Sequence, residues 1–144
     1  MLGSGGQLFS TFSEQVQAYC ERERAERHHA MAEKLAALNE QWQALTLQLA
    51  DKAMKNADEV GAASVDYLMY SGYVILAYFW LRAADTALAK QSELGDSDGF
   101  YQAKLDTAQF YFQRLLPRTL AHREAALAGA ESLMGMPASS FLSR

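Results

Sequence analysis

Apolar residues recur at helical spacing along most of the chain. Phe9, Phe12, Val16 and Tyr19 stand three, four and three apart, which makes one stripe on a first helix. Ser10 and Ser13 are both candidate caps, so the first turn is left open. The stripe then meets Glu23 and Glu26 in phase. Either the helix ends near Arg24 or it continues with a polar face turned inward, and the pattern favours a short first helix with a break or bend. From Met31 the stripe resumes through Leu35, Leu38, Trp42, Leu45 and Leu49, in alternating steps of four and three. That is the seam of a second helix in a bundle, ending near Asn56.

A third helix is expected from residues 58–64 to about Lys90. Its middle, residues 67–81, is apolar except for Ser71 and Gly72. At 15 residues the stretch falls short of the ~20 that a membrane-spanning helix needs, and Asp66 and Arg82 bracket it. It reads as a central bundle helix rather than a membrane span. Gly72 inside it costs about 1 kcal/mol against alanine, and close approach of a neighbouring helix is the expected compensation. The loop ELGDSDG follows, with Ser97 or Asp98 as cap for a fourth helix carrying Tyr101, Leu105, Ala108, Phe112 and Leu115. Pro117 should kink or divide that helix, because proline lacks a backbone donor and clashes with the preceding turn. Helix is expected to resume to about Ala130, with Gly135 and Pro137 as the stop. No segment alternates with period two. The fold class is therefore all-α: an up-and-down four-helix bundle over residues 7–137, with 1–6 a flexible head or linker and 138–144 a tail.

Composition narrows the function more than the fold. The 144 residues are 50% hydrophobic and 21% charged, ordinary for one globular domain. A formal charge of −4, with no basic stripe, gives no support to nucleic-acid binding. Cys20 is the sole cysteine, so neither an intrachain disulfide nor a thiolate metal cluster can form. This agrees with a cytoplasmic setting, as does a head without the basic start and apolar stretch of a secretory signal.

Two stretches are distinctive beyond their periodicity. One is YLMYSGYVILAYFWLRAADTALA, beginning at Tyr67 and containing Gly72; the other is FYQAKLDTAQFYFQRLLP, which holds Tyr101, Lys104, Phe110, Tyr111 and Pro117. Together with the trailing AGAESLM they resemble the C-terminal extension of long-form bacterial acyl-CoA dehydrogenases, the subgroup that includes methylmercaptopropionyl-CoA dehydrogenases. The resemblance covers about residues 7–137 and is strongest in the second half. It implies a parent flavoenzyme that removes hydrogens from the α and β carbons of an acyl-CoA thioester, with FAD as acceptor. It further implies that the catalytic base and the main flavin-binding parts lie in a body upstream. No residue here matches the base motif. The expectation is thus a structural module with no catalytic, cofactor-binding or metal residue of its own, partnered by that body and in a homo-oligomer.

The chemistry-bearing side chains are weighed against that expectation. His28, His29 and Glu33 form the most ligand-like group, and His122 is the one further candidate. Two ligands do not close a metal site, so the group reads as charged surface. Lys104 lies beside the fourth seam, where it either contacts a phosphate of CoA or flavin or pairs with Asp85 or Asp106 over apolar neighbours. The second reading is preferred, as for Arg82 and Arg114. Trp80 and the tyrosines of the third and fourth helices read as core. The alternative to the flavoenzyme domain is a free-standing helical interaction or dimerisation module.

Overall fold

The computed structural model describes residues 3–25 and 27–142, with the side chains of 6–23 and 27–142. Among them there is helix and turn but no strand. The first three helices are α1 (Gly3–Ala25), α2 (His29–Lys55) and α3 (Asp58–Leu94). After a loop come α4 (Phe100–Phe110), a π-helical turn (Tyr111–Leu115) and a 3-10 turn (Leu116–Arg118). These lead into α5 (Thr119–Leu127), the short α6 (Glu131–Met134) and a 3-10 turn (Ala138–Phe141) in the expected tail.

Paired side chains show how the helices run. Ser13 meets Asn39 and Phe9 meets Trp42, so α2 runs back along α1. Tyr70 reaches Leu38 while Glu59 meets Lys52, so α3 returns along α2. Gln91 meets Gln102, Tyr73 meets Tyr111 and Asp66 meets His122, so α4, the turns and α5 descend along α3. Short connections make such neighbours antiparallel.

The second seam is as expected: Leu35, Leu38, Trp42 and Leu45 are buried. Trp42 is the hub. Phe9 and Phe12 of α1 present their edges to it at 4.8 and 6.3 Å, and its indole Nε1 donates to Ser71 Oγ of α3 at 2.9 Å. Edge-to-face contacts of this kind add to the burial of the rings themselves. Beside it lies a buried polar knot that periodicity did not flag. Ser13 Oγ donates to Asn39 Oδ1 (2.9 Å), Asn39 Nδ2 donates to the Ser13 carbonyl (3.0 Å) and Gln43 Nε2 donates to Ser13 Oγ (2.7 Å). A satisfied knot of this sort fixes the register of α1 on α2, since sliding by one turn would strand each group.

Several expectations need correction. Residues 3–6 of the head belong to the start of α1, whereas residues 1–2 lie outside the described residues. α1 is not short, at 23 residues, although the chain does break between Ala25 and His29. Glu23 takes the second course open to it: it is fully buried, with Oε1 accepting from Arg22 and Oε2 without a hydrogen-bond partner. Neither Ser97 nor Asp98 alone caps α4. Asp96 accepts the amides of Tyr101 (3.0 Å) and Gln102 (2.7 Å), and Asp98 that of Phe100 (3.2 Å). Gly72 is not a close-approach site, since a Cβ there would meet nothing within 4 Å.

Of the two outcomes expected for the fourth helix, kink or division, the chain takes division, and takes it early. α4 ends at Phe110, well ahead of Pro117, and the path tightens through the π and 3-10 turns before α5. The wider π turn rotates the seam, so Leu116 and Thr119 are buried while Leu115 is only partly so. α5 ends at Leu127, short of Ala130, where Gly129 takes a left-handed φ of 89°. That end is tied down by α2 and α3. Lys52 Nζ donates to the Leu127 carbonyl (2.7 Å), and Glu59, 3.8 Å from the same ammonium, accepts the Ala130 amide (3.1 Å).

Candidate functional site

The residues singled out by motif fall on the inner and outer surfaces of α3, α4 and the two turns that follow it. Tyr67 and Tyr111 are structural anchors. The Tyr67 hydroxyl shares a 2.8 Å hydrogen bond with Thr46 Oγ1 of α2, which in turn donates to the Trp42 carbonyl. Tyr111 is buried and its hydroxyl donates to the Tyr73 carbonyl of α3 at 2.9 Å. Burial pushes that phenol well above its ordinary range, with Tyr73 adding to the effect. Tyr101 is half-buried at the head of α4, whereas Phe110 at its end is exposed.

Pro117 has a consequence at Phe112. In the π turn the Leu116 amide bonds to the Tyr111 carbonyl, so the next residue's amide would serve the Phe112 carbonyl. The next residue is Pro117, which has no N–H. Lys34 of α2 fills the vacancy, its Nζ donating to the Phe112 carbonyl at 2.9 Å. Periodicity marked Lys104 as the cation beside this seam, but the cation that enters it is Lys34. Only the pairing of α2 with the π turn brings the two groups together.

Lys104 is exposed and forms no ion pair with Asp85 or Asp106. Its ammonium lies 5.2 Å from the Phe100 ring centroid, a cation–π contact. Asp106 accepts from Gln102, and Asp85 accepts from the Tyr19 hydroxyl (3.2 Å) and faces Arg22 and Arg27. Arg82 stacks over Tyr78 at 5.5 Å and Arg114 is exposed. Trp80 and Tyr111 face each other at 6.5 Å in the core cluster.

The histidines are split. His29 Nε2 lies 3.9 Å from Glu33 on the exposed first turn of α2. His122 is on α5, where Nδ1 sits 2.8 Å from Asp66 Oδ1 and the ring stacks on Tyr73. Among the described residues no three His, Cys, Asp or Glu side chains converge in a metal-holding group. Cys20 is buried in the core. A surface cavity of about 560 Å³ lies between the α1–α2 turn and α4, lined by Arg27, His28, His29 and Lys34 with Met31 and Phe112. A second, of about 710 Å³, lies between α2 and α3 and is almost wholly apolar, with Leu49, Val60, Ala63 and Leu68 among its walls. Neither brings a nucleophile to a base.

α3 is also, by length and composition, the one described helix long and apolar enough to cross a membrane, which the 15-residue stretch alone was not. Its inner side, with Tyr70, Val74, Ala77, Leu81 and Ala84 buried, belongs to the bundle core.

What the geometry presents is a helical scaffold in which two of the motif residues, Tyr67 and Tyr111, bond one helix to another. The family model described as acetyl-CoA dehydrogenase C-terminal like matches residues 12–137, nearly the whole described fold. The chain belongs to that family. No curated protein matches it in sequence. Within this acetyl-CoA dehydrogenase C-terminal-like domain, the matched region takes in both motif stretches and the buried anchors Trp42, Tyr67 and Tyr111, together with Lys34 and Pro117. It leaves out the head, the next few residues of α1 and the tail.

Proposed function

We propose that this chain is the C-terminal helical domain of an FAD-dependent acyl-CoA dehydrogenase-like enzyme, of the methylmercaptopropionyl-CoA dehydrogenase-like subgroup, working in the cytoplasm. Its helices act as an up-and-down four-helix bundle, the descending fourth limb being α4, the two turns and α5. The domain packs on the catalytic body, where it supports assembly or covers the route to the acyl-CoA site. The body supplies FAD, the base and the α,β-dehydrogenation; this chain supplies surface. The observation that carries the reading is the family match over residues 12–137, joined to the structural use made of both motif stretches. Two of their tyrosines are spent on interhelix bonds, Tyr111 to Tyr73 and Tyr67 to Thr46.

The purified chain should therefore be strongly helical by circular dichroism and colourless. A stoichiometric flavin absorbing near the visible blue in that preparation would overturn the division of labour. A second reading, a free-standing dimerisation module, is favoured by the apolar side chains left outward on α3, with Leu68 70% and Phe79 51% exposed. An open reading frame for a flavoenzyme body, in frame and directly upstream, decides for the first reading.

A further inference from the structure

The cavity between the α1–α2 turn and α4 holds about 560 Å³, within the range of small-molecule sites. Its charged side chains are all of one sign. Arg27, His28, His29 and Lys34 line it, and among the described residues no aspartate or glutamate does. In a chain whose formal charge is −4, this is a local reversal of sign, and a concave wall concentrates the field. The rest of the wall is uncharged, with Met31, Leu105 and Phe112 making much of it apolar. Lys34 is the fixed member. Its Nζ donates to the Phe112 carbonyl at 2.9 Å, which pins the ammonium at the wall and leaves two of its three protons for another acceptor. It forms no ion pair among the described residues. Arg27 is loosely held, its guanidinium 3.9 Å from Asp85 and half exposed. His29 lies 3.9 Å from Glu33, a carboxylate outside the cavity. The Nε2 of His28 is enclosed without a hydrogen-bond partner, so turning that ring towards an oxygen in the cavity forfeits no bond at that nitrogen.

We propose that this cavity binds a phosphate monoester carrying a short apolar body. Lys34 and Arg27 supply two full positive charges, which match a phosphate dianion, and His28 turns in to hydrogen-bond one of its oxygens. The body of the ester lies over Met31, Leu105 and Phe112. A carboxylate would answer only one of the two cations, and a bare inorganic anion would leave the apolar wall in water. The same head group occurs free, on a small ester, and on a lipid, as phosphatidate. No flavin or thioester chemistry enters the proposal, which goes beyond the flavoenzyme reading and stands or falls apart from it.

The test is a titration of the isotope-labelled 144-residue chain with hexyl phosphate, followed by amide NMR shifts, beside inorganic phosphate, hexanoate and hexanol. Hexyl phosphate should give saturable shifts confined to residues 27–34 and 105–113. Its Kd should be lower than that of inorganic phosphate or hexanoate by on the order of tenfold, the worth of one charge-assisted contact or a few buried methylenes, and hexanol should not saturate. Arg27→Gln and Lys34→Met should each weaken hexyl phosphate by on the order of tenfold, whereas Lys104→Met, outside this cavity, should leave it unchanged. Because Lys34→Met also gives up the bond to the Phe112 carbonyl, Arg27→Gln at a half-exposed side chain decides the matter if that variant unfolds. Shifts that do not saturate, shifts centred elsewhere, inorganic phosphate as tight as the ester, or binding indifferent to Arg27→Gln would each overturn the site. Co-sedimentation with phosphatidylcholine vesicles containing phosphatidate separates the sources. Hexyl phosphate binding without vesicle uptake supports a free ester, and both together, each weakened by Arg27→Gln, support the lipid. Vesicle uptake without hexyl phosphate binding is attraction to a charged surface and sinks the proposal.

Discussion

At the scale of single residues, the side chains that matter most here are those that repair a backbone or fix a register. Lys34 is the clearest case. The Phe112 carbonyl loses its natural donor to Pro117 and recovers one from the Lys34 ammonium. Lys34→Met keeps the aliphatic stem but removes the donor, leaving a carbonyl short of a partner in a partly buried place. That should cost about 1–2 kcal/mol, read as a lower urea midpoint with an unchanged slope. Lys104→Met, which gives up only an exposed cation–π contact, should move the midpoint far less. Such a difference was not legible in the sequence. Both lysines sit beside seams, and the carbonyl that distinguishes them belongs to another helix.

Among the elements, α4 has its start held by two carboxylates of the preceding loop, Asp96 and Asp98. Asp96 collects the amides of Tyr101 and Gln102 and the side chain of Gln91. Desolvation pushes its carboxyl up, but the hydrogen bonds from Tyr101, Gln102 and Gln91 outweigh that and hold it below the usual carboxylate range. The sign of the pH effect follows. A depressed pKa means that the unfolded state binds the proton more readily, so the contribution is complete above the ordinary carboxylate pKa and disappears as pH falls through the lowered one. The amide-exchange protection factors in the first turn of α4, relative to intrinsic exchange at each pH, should fall on acidification across that window. Asp96→Ala should abolish that pH dependence and leave the first turn of α4 less protected at neutral pH. The sequence pointed to this loop and to Asp98, which accepts the Phe100 amide, but not to Asp96, which accepts two more. Which side chain caps depends on the turn made by Gly95 (φ 76°) and Gly99 (φ 73°), a geometry set after the helices pack.

For the whole molecule, the tyrosines make stability fail at high pH. Burial raises Tyr70 to about 12, and Tyr111 and Tyr19 also stand well above their ordinary value, Tyr19 by burial and then by the nearby carboxylates of Asp85 and Glu23. Groups with raised pKa values stabilise the fold fully below the unfolded value of about 10 and cease to do so as pH climbs past it. Thermal stability should thus be flat through neutrality and fall steeply from about pH 10 towards 12. A Tyr70→Phe variant should soften that fall, although it gives up the bond to the Leu38 carbonyl. The same scale bears on assembly. A helix with two apolar faces cannot satisfy both within a single layer of neighbours, so what covers the outer face of α3 is a property of the assembly rather than of the fold.

The order of apolar and polar residues was enough to establish an all-helical chain, the seam of α2, the break before His29 and the disturbance caused by Pro117. All of these depend on interactions within a turn or two of the chain, where periodicity, missing donors and capping groups act directly. Tertiary contact decided the rest. It turned Glu23 inward, spread the proline's effect over a π and a 3-10 turn, chose Lys34 over Lys104, and left Gly72 open to solvent instead of pressed against a neighbour. The choice of Lys34 is set by a carbonyl 78 residues away along the chain, and no local pattern records which distant group will arrive.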